Sequence, residues 1–398
     1  MKRLSGQELD ELAEIFAKRY EGWESDSLRY IGARIKKIGE MTPADLKKIN
    51  NIAEVNKDID HIFDELSKVT EKSVAEVSEL YGDAISEMHK FNEPMYDYRK
   101  VPFVPIEDDL RMQAIINRNA TNTAKTMINI TNTKAIGFTT QTGYSNVKNT
   151  LYDVFGKATT AAASGGTTFD AAMRKAIEEL GGSGFRIDYG GGYTRRVDSV
   201  VRQNVLWGVR EAAHGYTEII ADELGCDGFE VDRHSYPRPG HIFLQGRQFA
   251  KGKSKTVKGV FYQGSDEVDP LSEEGLTPTE ALEEYGCKHF ISAIICGVSP
   301  ASYSPDQLKD LDEKDSGTFE IDGKTKSGYE WSQSMRRIET EIRKEKGMIA
   351  GLEGFEKNKE AIKEHRQRIS ALKNKHKQIA DAINVRVDES RVRVYKNT

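Results

Sequence analysis

The chain has 398 residues, 58 basic against 63 acidic side chains and a net charge of −5. Its length predicts two or three domains at roughly 150 residues each, and 37% hydrophobic residues are too many for a chain disordered throughout. The slight acidity excludes a protein that coats nucleic acid over its whole surface, and no run of about 18 apolar residues is present to span a bilayer. Residues 1–16 turn polar after two basic side chains, so no secretory leader is expected. Cys226, Cys287 and Cys296 are too few for a disulfide framework, and the chain reads as soluble and made in a reducing cytoplasm.

The first hundred residues read as helices. Leu9, Leu12, Phe16 and Tyr20 share one face. Thr42-Pro43 predicts the start of a second helix, with Thr as cap and Pro in the first turn. Its face carries Leu46, Ile49, Ala53, Ile59, Phe63 and Leu66. A third helix is expected to align Val74, Val77, Tyr81, Ala84, Met88 and Phe91. These one-sided stripes require neighbours, either other helices or partner subunits. Pro94, and then Pro102 and Pro105, predict breaks and a linker.

Residues 107–136 keep helical spacing but are rich in Asn117, Asn119, Thr121, Asn122, Thr123, Thr126 and Asn129, whose side chains compete for backbone hydrogen bonds. They fit a polar helix buried among others, or an Asn/Thr ladder facing a partner subunit. Further helices are expected at 145–164 and 168–180. The glycine-dense stretch 181–192 has neither GxGxxG nor GxxxxGK[ST] spacing, so it reads as a short strand, 185–188, between flexible turns and not as a phosphate loop. A long helix is predicted over 195–224, ended by Gly225. Short runs at 229–232, 241–244, 258–262 and 290–294 read as strands.

The C-terminal region differs. Trp331, Met335, Ile338, Ile342 and Ile349 fit a seven-residue repeat, as do His365, Ile369, Leu372, His376, Ile379 and Ile383. Gly347, Gly351 and Gly354 lie between the two runs and predict a helical hairpin interrupted there. Residues 331–398 carry 17 basic against 10 acidic side chains, an excess of seven on an otherwise acidic chain. Such an asymmetry fits either a solvated helix pair or a surface that meets a polyanion. Lys363, Arg366, Arg368, Lys373, Lys375 and Lys377 are the candidate DNA-phosphate contacts, salt-sensitive and independent of sequence. The expected fold is α+β but predominantly α-helical. It comprises a helical N-terminal region (1–100), a linker and polar helix (101–140), a small α+β domain (141–328) and a basic helical hairpin (329–398).

Candidate chemistry is sparse. His234 and His241 flank a Pro-Arg-Pro turn, and Cys287 lies two residues before His289. A zinc site needs three or four N or S ligands, and these four are the candidates, but CxxC and HxxxH spacings are absent. The histidines therefore read as pins for loops, with no metal or other cofactor expected. GxSxG, HExxH and Walker patterns are also absent, so no enzyme is predicted.

Several strings nevertheless occur together and in order. Residues 200–209 (VVRQNVLWGV) lead through ADELGC at 221–226 and EVDRH at 230–234 to PRPGH at 237–241. Gln245-Gly246, CKHFIS at 287–292, GVSP at 297–300 and YEWSQ at 329–333 follow. In content and order, over roughly residues 90–398, they resemble the phage minor capsid protein 2 family, itself related to head-morphogenesis proteins similar to protein F of phage Mu. The resemblance rests on Arg238, Pro239, His241, Gln245, Gly246, Cys287 and His289. It departs from the family pattern at Ser235-Tyr236-Pro237, where small residues are usual, and at Gly240, where Ser or Asp usually precedes the second histidine. It implies a low-copy structural virion component, made in the host cytoplasm and located in the capsid interior or at the portal vertex during head assembly. The implied partners are the portal protein, the major capsid protein and packaged double-stranded DNA, with several copies per particle and no membrane. Two other readings stay open: a head-carried enzyme or effector with a His/Cys site, and a non-specific DNA-binding protein acting through its tail.

Overall fold

The computed structural model describes residues 6–42, 45–46, 52–133, 135–163, 168–283, 289–355 and 359–387. In chain order the first elements are α1 (Gly6–Gly39), α2 (Ile52–Arg99), α3 (Leu110–Asn132), β1 (Ile136–Thr140), β2 (Gly143–Asn146), α4 (Val147–Ala163) and α5 (Thr168–Ser183). Then come β3 (Arg186–Asp188), β4 (Thr194–Arg196), α6 (Val197–Glu223), β5 (Gly228–Val231), β6 (Gln248–Ala250), β7 (Lys255–Val257) and β8 (Val260–Gly264). The last are α7 (Pro278–Glu283), β9 (Ile291–Ile294), α8 (Pro305–Ser316), β10 (Thr318–Ile321), β11 (Lys324–Ser327), α9 (Gly328–Phe355) and α10 (Lys359–Ala382). The fold is thus mostly helical, with a mixed central region and a basic helical hairpin at the C-terminal side, as expected.

Three sequence expectations need correction. Residues 52–99 form one helix where two were expected, and it runs through Pro94. A proline inside a helix costs about 3 kcal/mol. Burial of Met95 and Tyr96 beyond it, and the Asn92 amide donating to the Tyr216 hydroxyl at 2.8 Å, hold the last turns in place. The chain leaves the helix at Lys100, which has a φ of 59°. Residues 241–244 are not a strand but part of a 3₁₀ helix, Pro239–Leu244, because Pro237 and Pro239 fix φ and remove the N–H groups a ladder needs. Finally, α9 passes through Gly347, Gly351 and Gly354 without interruption.

Thr42 does cap a turn, accepting the Asp45 N–H at 3.3 Å. Pro43 and Ile49 lie outside the described residues, as do the side chains of Leu9 and Ala53. In α3 the polar residues divide: Asn119, Thr123 and Thr131 are buried, whereas Asn117, Thr121, Asn122, Thr126 and Asn129 are exposed. Thr123 bonds the Tyr81 hydroxyl at 2.8 Å and Thr131 bonds Thr70 at 2.5 Å, so the buried hydroxyls are satisfied by other helices.

The chain divides into two compact units. One comprises residues 15–74, 125–203 and 334–398. It contains an antiparallel sheet of order β2-β1-β3-β4, flanked by α4 and α5. The glycines of α9 serve close approach here. A Cβ at Gly347 would lie 2.2 Å from the Gly181 carbonyl oxygen, one at Gly351 2.6 Å from Ile177, and one at Gly354 2.0 Å from the Arg29 carbonyl oxygen. Gly32 of α1 faces the Gly351 carbonyl oxygen in the same way, at 2.1 Å.

An ionic cluster lies inside this unit. The buried Arg196 guanidinium pairs with Glu24, donates to the Ser183 carbonyl at 3.2 Å and lies 3.4 Å from Asp198. Arg343 of α9 reaches Asp198 at 3.0 Å, and Glu24 also accepts the Phe185 N–H at 2.8 Å. Burial pushes the Asp198 carboxyl up, but Arg196 and Arg343 outweigh it and hold the group below the usual carboxylate range. Burial, with Asp198 nearby, lifts Glu21 from 4.5 to about 7. The folded state then holds that proton more tightly than the unfolded chain, so the contribution of Glu21 to stability declines as pH rises from 4.5 towards 7.

The other unit comprises residues 1–14, 75–124 and 204–333. Its sheet has the order β7-β8-β6-β5-β9, antiparallel except for the β6–β8 pair. Val231, Phe243, Leu244, Phe249 and Ala281 form a core on one side. Thr217 of α6 donates to the Ile291 carbonyl of β9 at 3.3 Å. Asp322-Gly323, both at positive φ, turn the β10–β11 hairpin.

The glycine seam gives a direct test. Gly351→Ala should destabilise the chain by about 2 kcal/mol, because the buried Ile177 side chain, 2.6 Å from the added methyl, must move. Gly22→Ala, also within a helix but with open space around it, should stabilise by roughly 0.5–1 kcal/mol. Chemical denaturation of both variants checks the contrast; equal effects would contradict it.

Candidate functional site

The residues singled out by sequence converge where β5 ends. Asp232 accepts the Phe290 N–H at 2.7 Å and donates its own N–H to the Phe290 carbonyl at 2.8 Å, which brings His289 beside His234. The chain then turns at Tyr236, whose φ is 52° and whose ring packs edge-on against Phe319 at 5.7 Å. Pro239 opens the 3₁₀ helix that carries His241, and the His241 N–H donates to the Arg238 carbonyl at 2.9 Å. Arg238 and Pro239 themselves are exposed, whereas His241 and Gln245 are buried. Gly246 has a φ of +69° with Tyr303 and Leu308 side chains within 2.8 Å of where a Cβ would sit, so only glycine fits.

Gln245 organises the cluster. Its Nε2 donates to Asp315 at 3.2 Å, and its Oε1 accepts the His234 N–H at 2.9 Å. Those two contacts fix the amide orientation, so His289 Nε2, 3.2 Å from the same Oε1, must carry a proton. His289 Nδ1 is then the acceptor facing His241 Nδ1 at 3.4 Å, and His241 donates. The result is a relay, Asp315–Gln245–His289–His241, with the His234 ring stacked on His289 at 4.8 Å. Burial, with His234 and His241 beside it, pushes His289 well below the usual imidazole range, so it stays neutral.

Asp315 anchors the relay from the last turn of α8, a helix capped by Ser304 with Pro305 in its first turn. A carboxylate there opposes the helix dipole. Burial raises its proton affinity, and the Arg233 guanidinium at 2.5 Å counters this. Asp315 also accepts the Tyr236 N–H at 3.1 Å. Sequence reading found the three histidines and Gln245 but missed Arg233 and Asp315. An aspartate 82 positions from its arginine leaves no local signal.

Metal binding is a poor match to this geometry. Both ring nitrogens of His289 are used within the relay, and His234 presents its face, not its nitrogens, to that ring. Among the described residues no group of three or more His, Cys, Asp or Glu side chains is set to hold a metal ion. Cys287 lies outside the described residues. Cys226 and Cys296 are buried free thiols, both pushed up to about 11 by burial, which makes them poor nucleophiles.

The candidate DNA contacts all lie on α10. Lys363, Arg366, Arg368 and Lys377 are exposed, and Lys373 and Lys375 half-buried. Several face carboxylates: Arg366 lies 3.1 Å from Glu353, Arg368 3.9 Å from Glu345 and Lys377 2.8 Å from Asp381. The inner face of the hairpin buries His365 between Glu345 at 2.5 Å and Glu178 at 3.4 Å, and His376 beside Glu339 at 3.2 Å.

The chain belongs to the phage minor capsid protein 2 family, whose model matches residues 4–381. No curated protein matches the chain, and no solved structure does. Among the described residues no helix is long and apolar enough to cross a membrane.

Asp315→Asn should cost about 3 kcal/mol, because it leaves the Arg233 guanidinium buried without its counter-charge. Long-range proton–nitrogen NMR spectra at neutral pH should show His289 neutral and protonated on Nε2. Protonation on Nδ1 would refute the relay.

Proposed function

We propose that this protein is a low-copy structural component of a tailed-phage head, seated at the portal vertex or the inner capsid wall. It acts there during head assembly or genome delivery. The family match over residues 4–381 carries this reading. Its partner is the portal protein or the major capsid protein, and the exposed cations of α10 lie near packaged DNA, where ion pairs with Glu345 and Glu353 limit their attraction to phosphate. The protein works by shape and surface, not turnover. The inward commitment of the His289 nitrogens supports this, since a general base needs a nitrogen within reach of a substrate proton.

Quantitative mass spectrometry of purified heads tests the reading. A few copies per particle, retained after DNA is removed by nuclease, are expected. A chain that remains in the soluble fraction of infected cells and never enters particles would refute it.

A further inference from the structure

We infer that residues 251–274 form a self-complementary surface through which two copies of this chain pair, the hairpin of each copy meeting the acidic loop of the other. The inference goes beyond the proposed function and does not depend on where in the particle the protein sits. Strands β7 and β8 pair in the register Lys255↔Tyr262, Thr256↔Phe261 and Val257↔Val260, turned by Lys258-Gly259, both at positive φ. Between residues 247 and 264 the chain has five basic residues and no acidic one. Arg247 pairs with Asp312 and Lys255 with Asp227. Lys251, Lys253 and Lys258 are exposed and form no ion pair among the described residues. At the tip Val260 and Phe261 are 51% and 64% exposed.

The segment that follows has the opposite charge and the same apolar display. Asp266, Glu273 and Glu274 are exposed there, and Val268 and Leu271 are 58% and 59% exposed. Hydrogen bonds hold the segments side by side, among them Glu267 accepting the Ser254 N–H at 2.9 Å, the Asp266 N–H donating to the Gly252 carbonyl at 3.1 Å and the Gln263 amide donating to the Val268 carbonyl at 3.4 Å. Gln263 lies two residues from Phe261 on its strand and so shares its face. One exposed apolar residue needs no explanation, but Phe261, Val268 and Leu271, on two cross-braced segments, form a patch.

Charge decides the occupant. A DNA duplex would meet Asp266, Glu273 and Glu274 beside the lysines and be repelled. A second copy supplies the complement to both halves, lysines over carboxylates and Phe261 over Val268 and Leu271, as a two-fold pairing requires. Lys255 on β7, with Lys253 and Lys258 flanking it, discourages strand-to-strand addition at this edge, so the contact is made through side chains.

Sedimentation velocity of the full chain over a range of concentrations tests the pairing. A reversible dimer, weakened by salt, is expected. Phe261→Asp should raise its dissociation constant about thirtyfold or more. The triple variant Lys251→Glu/Lys253→Glu/Lys258→Glu and the double variant Glu273→Lys/Glu274→Lys should each be monomeric with unchanged melting, and their equimolar mixture should pair again. A wild-type chain that is monomeric at every concentration overturns the proposal. So does a dimer indifferent to these substitutions, or a monomer that binds a short DNA duplex or the portal protein through the same lysines.

Discussion

One buried cation organises the unit made of residues 15–74, 125–203 and 334–398. Arg196 is buried, so its charge must be met by Glu24, Asp198 and the Ser183 carbonyl. Each of those groups belongs to a different stretch of chain, and Asp198 passes the requirement on to Arg343 in α9. A buried ion pair adds little net stability over apolar packing, but it makes every other arrangement expensive. The glycines of α1, α5 and α9 then allow the backbones to close around it, which bulkier residues would prevent.

The same logic recurs in the other unit at smaller scale. Arg233 needs Asp315, Asp315 orients Gln245, and Gln245 fixes the proton positions of two histidines. Of the family-pattern residues, His241, Gln245 and His289 are joined in this way. These contacts tie the turn after β5 to the last turn of α8.

Much of the fold was legible where periodicity is strong. The helix predicted at 195–224 appears at 197–223, and the strand at 185–188 appears at 186–188, because apolar spacing and glycine punctuation are local signals. The errors came where tertiary burial overruled a local rule: Pro94 inside α2, and glycines read as interruptions in α9 that are contact points. The Asp322-Gly323 turn of the β10–β11 hairpin is likewise a local signal, an Asp-Gly pair at positive φ. The histidine cluster could be named from sequence. Its anchors could not, since Arg233 with Asp315, like Glu24 with Arg196, are joined only by the fold.

If Arg196 is the tie described, replacing it by methionine removes the charge and leaves Glu24 and Asp198 buried without it. Hydrogen exchange on the Arg196→Met chain measures the consequence most directly. The account predicts loss of protection in α1, β3, β4 and the part of α9 around Arg343, with destabilisation of about 3–5 kcal/mol. An exchange pattern and melting temperature indistinguishable from wild type would contradict it.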